Sequence, residues 1–328
     1  MQKKEKANEV AQLDEVTQVD PSAKERFSYS KLSTYLQCPY RFKLKYDDKK
    51  YSSASTLALE LGTLCHKGLE IVGQYLSEGL PAPVEDILCG VYDGYPDEQI
   101  LGVNDLKQKY FEDWIAPDTK SLLTYEDKLS NYEAYLRRLA FGEDPIWSVY
   151  ATEREFSFPM TEKVEFYGFI DRIDTDGMGG YRLIDYKTSK KLFSKSDITT
   201  PLQMVVYALA IENEFGIPPS EYEYDFILLD KIQPVVSQGF VARGEDKIYR
   251  TLEKIKIDRS VQSFEPKPSP LCHWCDYCKT NTRAEESLKF ECPYHSLWTP
   301  GNKTSAVNRP APSKGTAEGA EKKEVFWF

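Results

Sequence analysis

No stretch of this 328-residue chain approaches the ~20 consecutive apolar residues that cross a bilayer, so a helical membrane span is excluded and no membrane partner is expected. The opening MQKKEKANEVAQLDEV carries charge without an apolar segment behind it, does not read as a secretory leader, and leads us to expect a cytoplasmic protein. There is no GxxxxGK[S/T] loop, which excludes a P-loop ATPase within the chain. Internal repeats are absent too. Basic charge is not in excess: the net charge of −10 argues against a protein that coats nucleic acid without specificity. Histidine is scarce. Of the three, His273 and His295 lie among cysteines, and only His66 stands apart.

Apolar residues make up 41% of the chain, enough to bury one large core or a core with a small appendage. The acidic average conceals two basic runs, YRFKLKYDDKK (40–50) and KTSKKLFSK (187–195), so a DNA-reading cleft stays open. Residues 1–26 read as a disordered lead. Order is expected from 27, where Ser28 or Ser30 precedes Leu32, Tyr35 and Leu36 at helical spacing. A second helix is predicted over 55–78, and 86–142 reads as mostly helical. At 147 the pattern changes to three extended segments, WSVYATEREFSF, VEFYGFIDRID and YRLIDYKTS, the last two joined by the hairpin signal TDGMGG. A helix over 200–215, a strand EYEYDFILLD, an edge-like PVVSQGFVA and a helix over 244–262 follow. Residues 299–328 read as a disordered tail with an aromatic tip, EVFWF. Helices, a β meander and further helices predict an α/β fold with a central mixed sheet flanked by helices.

Alternate residues of a strand share a face. Asp185 and Lys187 therefore point one way from YRLIDYKTS, with Arg182, Ile184 and Tyr186 on the other side. A carboxylate and an ammonium so placed suit a divalent cation and a phosphoryl oxygen or water. Across the hairpin, GFIDRID offers Asp171 and Asp174, and Mg²⁺ or Mn²⁺ favours such oxygen donors. Gln203 and Tyr207 lie four apart on one face of an otherwise apolar helix. Taken alone, Asp-x-Lys is a common triplet that reads first as an ordinary surface ion pair on a hairpin.

Together, GFIDRID, LIDYKTS and QMVVY resemble the motifs of the RecB-like branch of the PD-(D/E)XK nuclease superfamily, which includes CRISPR-associated adaptation nucleases. The resemblance covers residues 27–298 in the family's order, with 80–145 as a helical insertion. It implies a restriction-endonuclease-like fold and a metal-dependent DNA nuclease acting on single strands or free ends in recombination, repair or replication. The family's Gly-x-x-x-His setting is matched by Gly62 and His66. His66, Asp171, Asp185 and the carbonyl of Tyr186 would then hold Mg²⁺ or Mn²⁺. Lys187 would orient the attacking water, and Gln203 and Tyr207 would position DNA or the metal shell. Glu153 resembles a family acidic residue on the first strand, and reads nearly as well as a solvent-facing glutamate. Lys190, Lys191 and Lys195 lie where a DNA backbone would pass, or form a solvated loop. A non-catalytic scaffold of this fold would lack a motif residue, and none is missing.

Four of the seven cysteines crowd into 272–292, a density that points to metal rather than to disulfides. A subset of the resembled family closes an iron–sulfur cluster with one N-terminal and three C-terminal cysteines. That implies Cys38, Cys272, Cys275 and Cys292 as ligands of a [4Fe–4S] cluster, clasping the chain's two ends together. Zn²⁺ is the alternative, and Cys278 is the alternative fourth ligand. The proline after Cys292 matches the family's last ligand. Cys65 and Cys89 are expected to be small buried residues. The aromatic tip resembles docking peptides for replication or recombination partners.

Overall fold

The computed structural model describes residues 24–52, 57–89, 119–142, 144–189, 191–279, 281, 284–289 and 291–294. The predicted tail and aromatic tip, Lys190, His295 and residues 90–118 of the expected helical insertion lie outside them.

The chain opens with a short strand, β1 (Glu25–Phe27), which corrects the reading of a disordered lead up to residue 26. Phe27 is almost fully buried, and β1 pairs in parallel with β3, so its three residues gain a ladder and a core anchor at once. Helix α1 (Tyr29–Gln37) follows, with Ser28 at its N-cap accepting the Lys31 N–H at 3.2 Å. It buries Leu32 and Tyr35, as the spacing predicts. Helix α2 (Pro39–Phe42) continues into a π-helical turn at Lys43–Asp47. Then come α3 (Leu57–Ser77), α4 (Val84–Cys89) and α5 (Thr119–Phe141).

Three antiparallel strands form the centre: β2 (Ser148–Pro159), β3 (Val164–Thr175) and β4 (Tyr181–Lys187). Helix α6 (Leu202–Phe215) ends on Gly216 in the left-handed conformation and leads to β5 (Glu221–Phe226), which is parallel to β4. The edge strand β6 (Lys231–Pro234) and α7 (Phe240–Ser260) follow. Two expected boundaries shift here. The strand expected to run to residue 230 ends at Phe226, and the expected edge stretch 234–242 is strand only to Pro234, with Phe240 to Ala242 already helical. Phe240 is buried against Tyr222, so core packing draws this β-rich stretch into the helix.

The sheet order is β1-β3-β4-β5-β6, with β2 on the other side of β3. β1 and β4 therefore share one edge of β3, at residues 164–166 and 172–175 respectively. Helices cover both faces. Leu183 of β4 enters the core built with α1, α6 and α7, whereas Ile184 and Tyr186 enter the core built with α3, α4 and α5. That division matches the alternation read from YRLIDYKTS. The fold is a mixed sheet between two helical layers, as expected.

A third, small cluster of Leu44, Tyr277 and Leu288 binds the cysteine-rich segment to the N-terminal helices. Lys50 pairs with Glu291, Arg41 with Asp276, and the Tyr277 hydroxyl donates to the Lys50 carbonyl. Lys43 pairs with Asp48. Much of the basic run 40–50 thus serves the clasp and local ion pairs rather than an open basic face.

Candidate active site

Five elements, β2, β3, β4, α3 and α6, bring the site together where β3 and β4 part. Their ladder ends at the Arg172–Ile184 pair. Beyond it, the Asp171 carboxylate accepts the backbone N–H of Tyr186 at 2.7 Å. The buried residues Ile170 and Ile173, three apart, both enter the same core, so strand alternation breaks around Asp171.

β2 supplies Glu153. Its neighbours pair as Thr152 with Arg172 and Arg154 with Ile170, which sets Glu153 opposite Asp171. Glu153 has a φ of 43°, inside a strand, in the left-handed region. A non-glycine residue there costs about 1–2 kcal/mol, and such strain concentrates at functional sites.

α3 supplies His66. The helix lies close on β2 because Gly73 faces Thr152: a Cβ at 73 would come within 2.2 Å of the threonine methyl. The Thr152 hydroxyl donates to the carbonyl of Glu70, one turn beyond His66, at 3.1 Å. His66 Nδ1 then lies 3.6 Å from Asp171 Oδ2 and 3.8 Å from Glu153 Oε1. Ligand atoms of His66, Glu153 and Asp171 all fall within 4.8 Å of one another, the one such group among the described residues. The Tyr186 ring meets the imidazole edge to face at 6.1 Å.

β4 and α6 supply the remainder. Asp185 is fully buried and receives the Tyr207 hydroxyl at 3.3 Å. Lys187 pairs with Asp185 and donates to Gln203 at 2.9 Å, and Gln203 donates to Tyr207 at 3.0 Å. Gln203 and Tyr207 thus act as a pair, as their i, i+4 spacing implies. A cleft lined by Leu61, His66, Lys128, Asp171, Asp185, Tyr186, Lys187, Thr188, Ser189 and Gln203 opens over these groups.

The electrostatics follow from burial and crowding of acids. Burial pushes the Asp171 carboxyl up to about 7, the charge of Asp185 adds to the shift, and His66 opposes it. Burial would lower His66, but its pairing with Glu153 and the charges of Asp171 and Asp185 outweigh that and raise it. A cation bound here would displace the proton that Asp171 holds below about 7. The donor set fits a divalent cation: one imidazole nitrogen from His66 and carboxylates from Glu153 and Asp171, with buried Asp185 beside them, its Oδ2 paired with the Lys187 ammonium.

Not every candidate reaches the cleft. Asp174 is fully buried on the opposite face, chelated by Arg172 at 2.6 and 2.9 Å and by Arg182 at 2.6 Å. Lys191 and Lys195 are exposed and do not line the cleft. Lys128, Thr188 and Ser189 do line it, and sequence reasoning missed them. Thr188 and Ser189 simply continue the strand, but Lys128 had no motif to mark it.

The cysteines gather elsewhere. Cys38, Cys272, Cys275, Cys278 and Cys292 line one cavity between the N-terminal helices and the C-terminal segment. The Lys267 N–H donates to Cys38 Sγ and the Ser269 N–H to Cys272 Sγ, both at 3.4 Å. Backbone N–H groups of Tyr277 and Tyr294 act on Cys275 and Cys292. Burial pushes Cys275 up to about 12, against the opposing charge of Arg41, and Cys292 up to about 11. Converging sulfurs with backbone donors suit thiolate-bound metal. Cys65 is buried as expected, but Cys89 is exposed at the end of α4, so the expectation of a buried residue fails there.

A six-stranded mixed sheet between helical layers, with Asp171, Asp185 and Lys187 around the β3–β4 split, is the architecture of a nuclease fold. The sequence profile of the PD-(D/E)XK nuclease superfamily matches residues 26–280, and the chain belongs to that superfamily. Among curated proteins it is similar to an ATP-dependent helicase/deoxyribonuclease subunit of Clostridium perfringens, at 28% identity over 267 residues, covering 73% of this chain and 22% of the relative. The corresponding subunit of Clostridium novyi is 28% identical over 193 residues (53% and 17%), and that of Carboxydothermus hydrogenoformans 29% over 229 residues (61% and 20%). The chain spans about a fifth of the length of these relatives.

Proposed function

We propose that this chain is a Mg²⁺- or Mn²⁺-dependent DNA nuclease that acts on single strands or free ends in recombination, repair or replication. The convergence of His66, Glu153 and Asp171 within 4.8 Å, beside Asp185 and Lys187, carries the reading. His66, Glu153, Asp171 and Asp185 would hold the ion, with the Tyr186 carbonyl as a further donor. When bound, the cation supplies charge that polarises the scissile phosphate and acidifies an attacking water. Lys187 has three ammonium protons, and Asp185 and Gln203 hold it in place. At least one proton remains for the nucleophile or for a phosphoryl oxygen as charge develops. Tyr207, donating to Asp185 while accepting from Gln203, fixes the carboxylate and the amide together.

Cleft walls from α3 and α5 favour a threaded strand over an intact duplex. End-labelled linear and covalently circular single-stranded DNA, each incubated with Mn²⁺, test this. Linear DNA is expected to be degraded and circles spared, and equal loss of both overturns end dependence. No cleavage of either substrate overturns the nuclease reading.

The cysteine cavity holds a [4Fe–4S] cluster in this reading, through Cys38, Cys272, Cys275 and Cys292, which line it together, with backbone N–H groups donating to Cys38 and Cys272. Its chemistry there is a clasp: thiolates far apart in sequence close a loop around the nuclease core. An anaerobic visible spectrum separates iron from zinc. The relatives are named as helicase/deoxyribonuclease subunits, which supports a motor protein as partner here as well. Deleting the last six residues and following partner retention tests the aromatic tip.

A further inference from the structure

The cleft is short of positive charge for the substrate proposed above. Three carboxylates, Glu153, Asp171 and Asp185, surround it, and Lys187 is occupied by Asp185 and Gln203. A DNA strand brings a negative charge at every nucleotide. One divalent cation offsets charge at the scissile phosphate, not at its neighbours.

A second lysine reaches the same cleft from an element outside the family motifs. Lys128 of α5 lines it together with His66, Lys187 and Gln203. It lies four residues before Tyr132 and seven before Tyr135, at the margin of the helix's buried stripe of Leu129, Tyr132, Tyr135 and Leu136. A lysine in that position packs its stem on the apolar stripe and extends its ammonium to the edge. Lys128 is half-buried, and its charge also acts on the buried thiol of Cys65, the neighbour of His66. The approach of α5 is fixed. The Tyr132 hydroxyl donates to the Leu64 carbonyl at 3.2 Å, and Gly68 leaves room for it, since a Cβ there would come within 1.9 Å of that oxygen.

We propose that Lys128 is a substrate-positioning residue, binding a backbone phosphate of the DNA strand on the α5 side of the cleft. This rests on the nuclease reading and adds to it a positioning contact from the helical insertion. The residue acts in binding, not on the reacting atoms, so its loss moves affinity and salt dependence and leaves the chemical step in place.

The test compares wild type, Lys128→Ala and Lys128→Arg. The probe is a fluorescent single-stranded oligonucleotide, followed by anisotropy with Ca²⁺ over a salt series and by cleavage with Mn²⁺. Lys128→Ala is expected to weaken binding about fivefold to tenfold and to flatten the salt slope by about 0.7, one phosphate contact on a single strand. KM should rise in step, with kcat, melting temperature and Mn²⁺ affinity unchanged, and Lys128→Arg should restore the slope. An unchanged slope and Kd in Lys128→Ala overturns the proposal, as does a loss of kcat at constant KM. Wild type that binds the oligonucleotide without cutting it overturns the nuclease reading alone, and wild type that does not bind overturns both.

Discussion

Asp171 accepts the backbone N–H of Tyr186 at 2.7 Å, at the point where β3 and β4 separate. A side chain thus replaces a ladder bond and pins two catalytic strands at the spacing the site requires. The carboxylate that does this is buried beside Asp185 and held up to about 7. Fold and site therefore compete for one residue, and the competition can be measured.

In the metal-free protein the neutral form of Asp171 is favoured, because burial and then Asp185 raise it. The penalty for ionising it grows as pH rises from the ordinary value of 3.8 through about 7, and is complete above that. Asp171→Asn keeps an acceptor for Tyr186 and removes the charge. It should raise the melting temperature of metal-free protein by at least ~2 °C at pH 8, leave it unchanged near pH 4, and abolish cleavage. Calorimetry at the two pH values checks this. A variant less stable at pH 8 would refute it.

Gly73→Ala places a methyl group against Thr152. Overpacking of this kind costs about 1–3 kcal/mol, and here it also pushes α3 and His66 away from β2. Thermal unfolding and Mn²⁺ affinity should both decline. Adding Thr152→Ser removes the clashing methyl, keeps the hydroxyl bonded to Glu70, and should restore both. Failure of the second substitution to rescue would separate the helix contact from the site.

On the proposed cluster, Cys38→Ala and Cys292→Ala should each abolish visible absorbance and loosen the C-terminal segment, seen as faster proteolysis. Cys278→Ala should retain the metal. Loss of colour in Cys278→Ala with retention in Cys292→Ala would exchange their roles.

The parts of this protein carried by local periodicity could be read from the sequence. The face shared by Asp185 and Lys187, the cap at Ser28, and the Gln203–Tyr207 pair depend on residues within four positions of each other. Glu153 is different. The resemblance marks it, but sequence spacing presents it as an ordinary strand residue, and the left-handed backbone and the register opposite Asp171 bring it to the site. Asp174 fails in the opposite sense. It stands in the same motif as Asp171, but it lies inside the β3–β4 ladder, where Arg172 and Arg182 bind it, and not at the split beyond the ladder's end. β1 escaped notice because three residues in a charged lead carry no period, and its stability comes from pairing with residues some 140 positions away. Lys128 belongs to the same class, since it meets the site only through the packing of α5 on α3.

If one divalent ion shared by His66, Glu153 and Asp171 drives phosphodiester cleavage, metal affinity and cutting must fall together when one ligand is lost. A Mn²⁺ titration of wild type and Glu153→Gln, followed by electron paramagnetic resonance with DNA cleavage assayed in the same samples, measures both. Wild type should bind one Mn²⁺ tightly, with affinity rising as pH increases to about 7 and Asp171 loses its proton. In Glu153→Gln the affinity should be at least ~10-fold weaker, with cleavage falling in proportion. Unaltered Mn²⁺ binding and cleavage in Glu153→Gln would contradict the shared-ion site.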